Sequence, residues 1–293
     1  MRQDFEYFRP ATIEEAVSLY SKGGKDARLL AGGTELVNEM RSGKARPKFV
    51  IDLKQISSLD FMELTPERLR IGALYRVRDA ETSDLLRHSR FGAVSFAAGT
   101  LGSPQVRNKA TIVGNVCRCS PSADLIPPLV ALGARATVAG NGSQRIMAVE
   151  ELLQGPGKIA LELGEIVTEL DIPDVSRNTG CSYYKLSPRR SLDLAVVGVA
   201  VMVRMDSRMR RCMDARIVLG AVAPTAIRAR RAESMLIGSD LSDSIVEQAA
   251  AAAADESKPL DDVRASAWYR KKMVDVGVKR TIGLALEQAR KRR

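Results

Sequence analysis

Two short segments carry the residue types that could hold a phosphorylated ligand. Leu29-Leu30-Ala31-Gly32-Gly33-Thr34-Glu35-Leu36 runs from an apolar, strand-like stretch into two glycines, a hydroxyl and a helix start. Glycine lets a backbone approach a ligand closely, and amides exposed where a helix begins can donate to phosphate oxygens. Thr111-Ile112-Val113-Gly114-Asn115 repeats the logic with a hydroxyl, a glycine and an amide side chain. Taken alone, Gly-Gly between a strand and a helix is more often just a turn. Together the two segments could grip a diphosphate from both sides. Neither matches the G-x-G-x-x-G dinucleotide fingerprint, and there is no P-loop, so a fold using them must be of another kind.

Other reactive side chains are sparse. His88 is the only histidine, near a helix end between arginines, so a Ser-His-Asp or Cys-His arrangement has little to draw on and hydrolytic chemistry is not expected. Cys117 and Cys119 flank Arg118, while Cys181 and Cys212 stand alone. That spacing supplies neither the four ligands of a zinc or iron-sulfur site nor a disulfide framework, and it predicts free thiols. On its own, Asp124 reads as a first-turn helix acid and Lys185 as a solvated charge, while Leu101 and Val167 read as core.

The elements that must position these residues follow from patterning. Thr12-Ile13-Glu14-Glu15 is a capping box opening a helix that Gly23-Gly24 ends. Strands are expected at 27–31, 48–53 and 69–73, with helices at 36–40 and 78–86, and Ser122 is expected to cap a helix running through Leu132. A hairpin is expected at Asn141-Gly142 and a half-buried strand over Glu165–Ile172. Beyond Cys181 the texture changes: long β-branched runs at 194–205 and 215–219, joined by a charged turn, predict antiparallel pairing. Helices at about 228–236, 242–254 and 265–290 follow, the second carrying an alanine run expected on the surface.

The chain has 293 residues and a formal net charge of +10. Residues 1–174 hold 22 basic and 22 acidic side chains and residues 175–293 hold 23 and 13, which hints at a boundary between them. The basic residues are not interleaved with stacking aromatics and no nucleic-acid motif accompanies them, so no nucleic-acid partner is expected. The start, Met1-Arg2-Gln3-Asp4, lacks the apolar stretch of a signal peptide, and no run of eighteen apolar residues occurs, so no transmembrane segment and a cytoplasmic location are expected.

Five segments, in order, resemble one family. They are Phe5-x-Tyr7-x-x-Pro10-x-Thr12-x-Glu14-Glu15-Ala16; Ala31-Gly32-Gly33-Thr34-Glu35-Leu36; Ile112-Val113-Gly114-Asn115 with Ser120-Pro121-x-x-Asp124; Glu165-Ile166-Val167-x-x-Leu170-x-Ile172-Pro173; and Tyr184-Lys185-x-x-x-Arg189-Arg190-x-x-Asp193-x-Ala195. This set is similar to the FAD-binding medium subunit of molybdenum hydroxylases, the group that includes the flavoprotein of carbon monoxide dehydrogenase and the flavin domain of xanthine dehydrogenase.

The resemblance implies an α+β chain: a two-subdomain FAD-binding fold of the vanillyl-alcohol-oxidase type (1–55 and 56–176) plus a C-terminal domain of three antiparallel strands and helices (177–293). It implies FAD held by Leu29 through Leu36 and Thr111 through Asn115 at the pyrophosphate. It places Asp124 on polar atoms of the nucleotide, Leu101 near the flavin ring, Val167 near the adenine end and Lys185 near the isoalloxazine. It implies electron transfer from iron-sulfur clusters in a small partner subunit, with the molybdenum cofactor (molybdopterin) in a large one, as a dimer of heterotrimers. The final acceptor and the substrate are left open. On this reading the basic C-terminal part, with Arg228, Arg230 and Arg231, would supply some of the docking surface. Val113 departs from the family, which usually has glycine there, and Cys117-Arg118-Cys119 matches no family role. A stand-alone flavin oxidase or a scaffold on the same fold are the competing readings.

Overall fold

A computed structural model describes residues 4–189 and 192–291. Its first sheet uses residues 6–52: β1 (Glu6–Phe8), α1 (Ile13–Gly23), β2 (Ala27–Leu30), α2 (Leu36–Arg41) and β3 (Phe49–Asp52). All pairings are parallel in the order β1-β3-β2, which requires the helices as crossovers. Thr12 caps α1 by accepting from the Glu15 amide at 3.1 Å, and Gly24 ends it. The expected capping box is shifted by one residue, because the Glu15 carboxylate takes the amide of Ala11 instead of that of Thr12.

The second sheet follows. β4 (Met62–Leu64) and β5 (Arg68–Gly72) lead into six short helices: α3 (Val77–Thr82), α4 (Asp84–Arg87), α5 (Gly92–Thr100), α6 (Pro104–Arg107), α7 (Ile112–Arg118) and α8 (Ile126–Ala131). The hairpin β6 (Arg135–Gly140) and β7 (Ser143–Ala148) then turns at Asn141-Gly142 as expected. After α9 (Val149–Leu152) and the small pair β8 (Leu153–Gly155) and β9 (Lys158–Ile159), β10 (Ile166–Pro173) enters the middle of the sheet, giving the order β4-β5-β10-β6-β7. Two expectations fail here. The helix expected at 78–86 is broken, because Ser83 leaves helical geometry and caps a new turn. Ser122 does not cap α8; its hydroxyl donates instead to the Ala195 carbonyl at 3.4 Å.

The third sheet is antiparallel: β11 (Thr179–Leu186), β12 (Val197–Met205), β13 (Cys212–Gly220) and β14 (Ile227–Arg228), in that order. The expected three strands are present, with a two-residue fourth at the edge. Helices α10 (Arg230–Leu236), α11 (Asp243–Glu256) and α12 (Ala267–Lys291) cover one face. Both faces of this sheet are buried, which is why β12 is an almost unbroken apolar run. Val199, Val201 and Val203 point into the helix-covered core, whereas Ala200 and Met202 join Cys181 and Tyr183 in the core shared with the first two sheets. The alanine run is not a surface feature: Ala249, Ala250, Ala252 and Ala253 are buried, and their small side chains let α11 press against its neighbours. Gly180 serves the same end, since a Cβ there would lie 1.8 Å from the Ala285 carbonyl of α12.

Candidate functional site

The first glycine segment meets the backbone just ahead of the second. A Cβ at Gly32 would sit 2.0 Å from the Lys109 carbonyl and 2.9 Å from the Ala110 Cα, so the backbones touch where only glycine fits. Leu29 and Leu30 close β2, half-buried, and Ala31-Gly32-Gly33 turns out of it, with Gly33 at φ 72°. Among the described residues no acceptor takes the amides of Gly32, Gly33, Thr34, Glu35 or Leu36; the first amide of the helix to be satisfied is that of Val37, which donates to the Gly33 carbonyl at 3.1 Å. A row of unpartnered amides in a turn is a concavity suited to oxyanions.

The second segment is helical, not a loop. Thr111 caps α7 by accepting from the Gly114 amide at 3.0 Å, which leaves Gly114 exposed at the surface. Ile112 and Val113 are buried core residues, so the valine side chain that departs from the family pattern is packed inward. Asn115 turns toward the next loop, its Oδ1 accepting from the Leu125 amide at 3.4 Å.

That loop carries Asp124, which is buried together with Lys185. Their side chains are 6% and 7% exposed, with Nζ to Oδ2 at 2.8 Å. The Tyr183 hydroxyl donates to the other carboxylate oxygen at 2.9 Å, and Lys185 also donates to the Thr100 carbonyl at 2.8 Å. Burial pushes the Asp124 carboxyl above its ordinary value, with Lys185 and Tyr183 pulling it down without cancelling the shift. The Tyr183 phenol is driven well up, by burial first and then by the Asp124 charge. Thus Lys185 is neither a solvated charge nor a free cation. It is half of an internal pair, and it borders a cleft of about 420 Å³ lined by Thr100, Leu186, Ser187, Pro188, Arg189 and Asp193.

The remaining candidates are placed as follows. Leu101 follows Thr100 at the end of α5; it is buried, and only its neighbour Thr100 lines the cleft. Val167 is buried at the start of β10 opposite Val138 and is not among the residues lining the cleft. Arg190 lies outside the described residues. Tyr183, Thr100, Glu81 and Arg107 had not been anticipated. Tyr183 was reachable, since it stands two positions before Lys185 on a strand and so faces the same side. Glu81 and Arg107 meet across 26 residues, a contact no local pattern announces.

Cys117 and Cys119 do not form a reactive centre. Both are free thiols, and burial pushes the Cys117 thiol up to about 12 and also raises that of Cys119, which disfavours the thiolate. Among the described residues no group of acidic, cysteine or histidine side chains could hold a metal ion, and no helix is long and apolar enough to cross a membrane. The arginines expected to dock a partner are engaged internally. Arg228 pairs with the buried Glu233 at 2.7 Å, Arg230 with Glu150 at 2.7 Å, and Arg231 with Asp255 at 3.3 Å. The Arg230 and Arg231 side chains stay 60% and 56% exposed, so these surface pairs leave both arginines accessible to a partner, whereas Arg228 is largely buried against Glu233.

Residues 3–175 match the model of the FAD binding domain in molybdopterin dehydrogenase, and residues 182–285 match that of the CO dehydrogenase flavoprotein C-terminal domain. The chain belongs to the flavoprotein family of molybdopterin dehydrogenases. It is 32% identical to the 6-hydroxypseudooxynicotine dehydrogenase complex subunit alpha of Paenarthrobacter nicotinovorans, over 98% of this chain and 96% of that protein. It is also 32% identical to the carbon monoxide dehydrogenase medium chain of Hydrogenophaga pseudoflava, over 96% of both. A solved carbon monoxide dehydrogenase from the same organism superposes with a TM-score of 0.93 at 32% identity, covering 98% of this chain and 99% of that one. The family's cofactor is FAD, and within this flavoprotein family the chain's place is that of an electron-transfer subunit.

Proposed function

We propose that this chain holds FAD between its first two sheets and the antiparallel domain, with the diphosphate on the Gly32–Leu36 and Thr111–Asn115 segments and the flavin ring toward the cleft beside Lys185. The observation that carries this reading is the run of amides from Gly32 to Leu36 without acceptors, held against Lys109-Ala110 by a contact that a Cβ would fill. Such amides lose little on meeting phosphate oxygens, because no internal hydrogen bond has to break first. When bound, FAD supplies the capacity to accept and pass on electrons. The chain's own residues bind, orient and neutralise. Leu29, Leu30 and Ala31 anchor the first loop on β2. Thr34 adds a hydroxyl beside the free amides, Gly114 leaves the start of α7 open, and Asn115 ties that helix to the Asp124 loop. Asp124 and Lys185 form a paired floor on the cleft side, and Leu101 gives it an apolar edge. Val167 contributes to the wall of the second sheet toward the adenine end.

We place the chain in a complex with a small iron-sulfur subunit and a large molybdenum subunit, as a dimer of heterotrimers. The support is that the relatives are named as a complex subunit and as the medium chain of a dehydrogenase. A tagged chain expressed from its own genome is expected to bring down two further chains with iron, molybdenum and FAD in fixed proportion. Recovery of the chain alone, reducing its flavin directly with a small substrate, would point instead to a stand-alone oxidase.

A further inference from the structure

The end of α5 is held by two cations from opposite directions. The last carbonyls of a helix have no internal partners and form its negative pole. Here the Thr100 carbonyl accepts from Lys185 Nζ at 2.8 Å, and the next one, of Leu101, accepts from the Arg107 guanidinium at 2.9 Å, with the Gly102 carbonyl at 3.4 Å from the same nitrogen. Arg107 is 9% exposed and cannot wander, because Glu81 grips it in bidentate fashion, Nε to Oε2 at 2.7 Å and NH2 to Oε1 at 3.1 Å. Arg78 adds a second cation on Glu81 at 2.9 Å. Burial works against ionisation of Glu81, but Arg107 and Arg78 together hold its carboxyl below the usual range. The clamp is therefore charged throughout.

We propose that Arg107, locked by Glu81, is a positioning residue of the flavin cleft: it fixes the Thr100–Gly102 turn, and through Thr100 sets where Lys185 presents its charge. This rests on the flavin reading of the cleft. Lys185 is shared between Asp124 and Thr100, so a turn that drifts takes one of its two acceptors with it. A guanidinium is required for geometry, since its fork serves Glu81 and the turn at once, which an ammonium cannot do. Its charge offsets the negative pole of α5 next to the ring.

The test measures FAD dissociation constant, flavin midpoint potential and melting temperature for the wild type, Arg107→Lys, Arg107→Met and Glu81→Gln. Arg107→Lys keeps the charge and loses the fork; it is expected to weaken FAD binding about tenfold with little change in potential. Arg107→Met is expected to weaken binding further and also to lower the potential, because a cation near the ring favours the reduced, more negative flavin. Glu81→Gln keeps the guanidinium but removes the carboxylate that locks it, and is expected to weaken binding without lowering the potential. Variants that melt lower yet keep the wild-type dissociation constant and potential would show a purely structural role and overturn the proposal. A wild type that takes up no FAD would overturn the flavin reading itself, and the proposal with it.

Discussion

Gly32→Ala is expected to yield a folded chain that binds FAD about a hundredfold more weakly than the wild type. A methyl group there would lie 2.0 Å from the Lys109 carbonyl, a backbone atom that cannot swing aside as a side chain would. The loops must part, and overpacking of this kind costs about 1–3 kcal/mol, where each 1.4 kcal/mol is tenfold in affinity. Part of the cost falls on folding, because Ala110 belongs to the core, and part on FAD affinity, because the displaced Gly32 turn is the one proposed to hold the diphosphate. Gly283→Ala, on the open side of α12 with nothing within 4 Å of the added methyl, is the control and should leave affinity unchanged. Equal FAD affinity in Gly32→Ala, read by titration of the apoprotein, would remove the loop contact from the account.

Lys185→Met is expected to lower global stability by about 3–5 kcal/mol at neutral pH, the usual consequence of leaving one member of a buried pair alone. The pH dependence has a definite sign. Asp124 already has a folded-state pKa above its unfolded value, so its protonated form is the one folding favours. Such a group contributes stability that is complete below the unfolded pKa and is lost as pH rises through the folded one. Removing Lys185 takes away a charge that had been holding that pKa down, so it climbs further and the window of loss extends upward. The deficit of the variant should therefore be small in acid and grow as pH rises from the ordinary carboxylate range toward neutrality. The double variant Asp124→Asn, Lys185→Met should recover much of the loss, since neither buried charge remains. Denaturation midpoints across that range check both statements; a deficit independent of pH would mean that Asp124 does not carry it.

These two expectations also mark what the sequence could and could not say. The turn at Gly32-Gly33 was legible because close backbone approach is a local demand that restricts residue type, whereas Thr111–Asn115, read as a second loop, is the capped start of α7. The antiparallel domain was legible from β-branched runs followed by helical periodicity. Long-range charge pairing was not. Asp124 and Lys185 are 61 residues apart and each is unremarkable alone, yet together they form a buried ion pair. Arg228, Arg230 and Arg231 look like a free basic patch in the sequence, yet each has a carboxylate partner distant in the chain or across a turn: Glu233, Glu150 and Asp255. Alanines 249–254 have the composition of an exposed helix, and only the packing of α11 shows that small size, not helix propensity, is what that position requires.

The central claim is that this chain itself carries FAD, and the first measurement is the visible absorbance of the purified protein, followed by acid release and chromatographic identification of whatever dissociates. The account predicts a flavin spectrum and release of FAD without covalent attachment, in near one-to-one ratio with the chain. A colourless, folded chain that also fails to take up added FAD would contradict it, leaving the free amides of Gly32 to Leu36 and the paired floor of Asp124 and Lys185 without the ligand proposed for them.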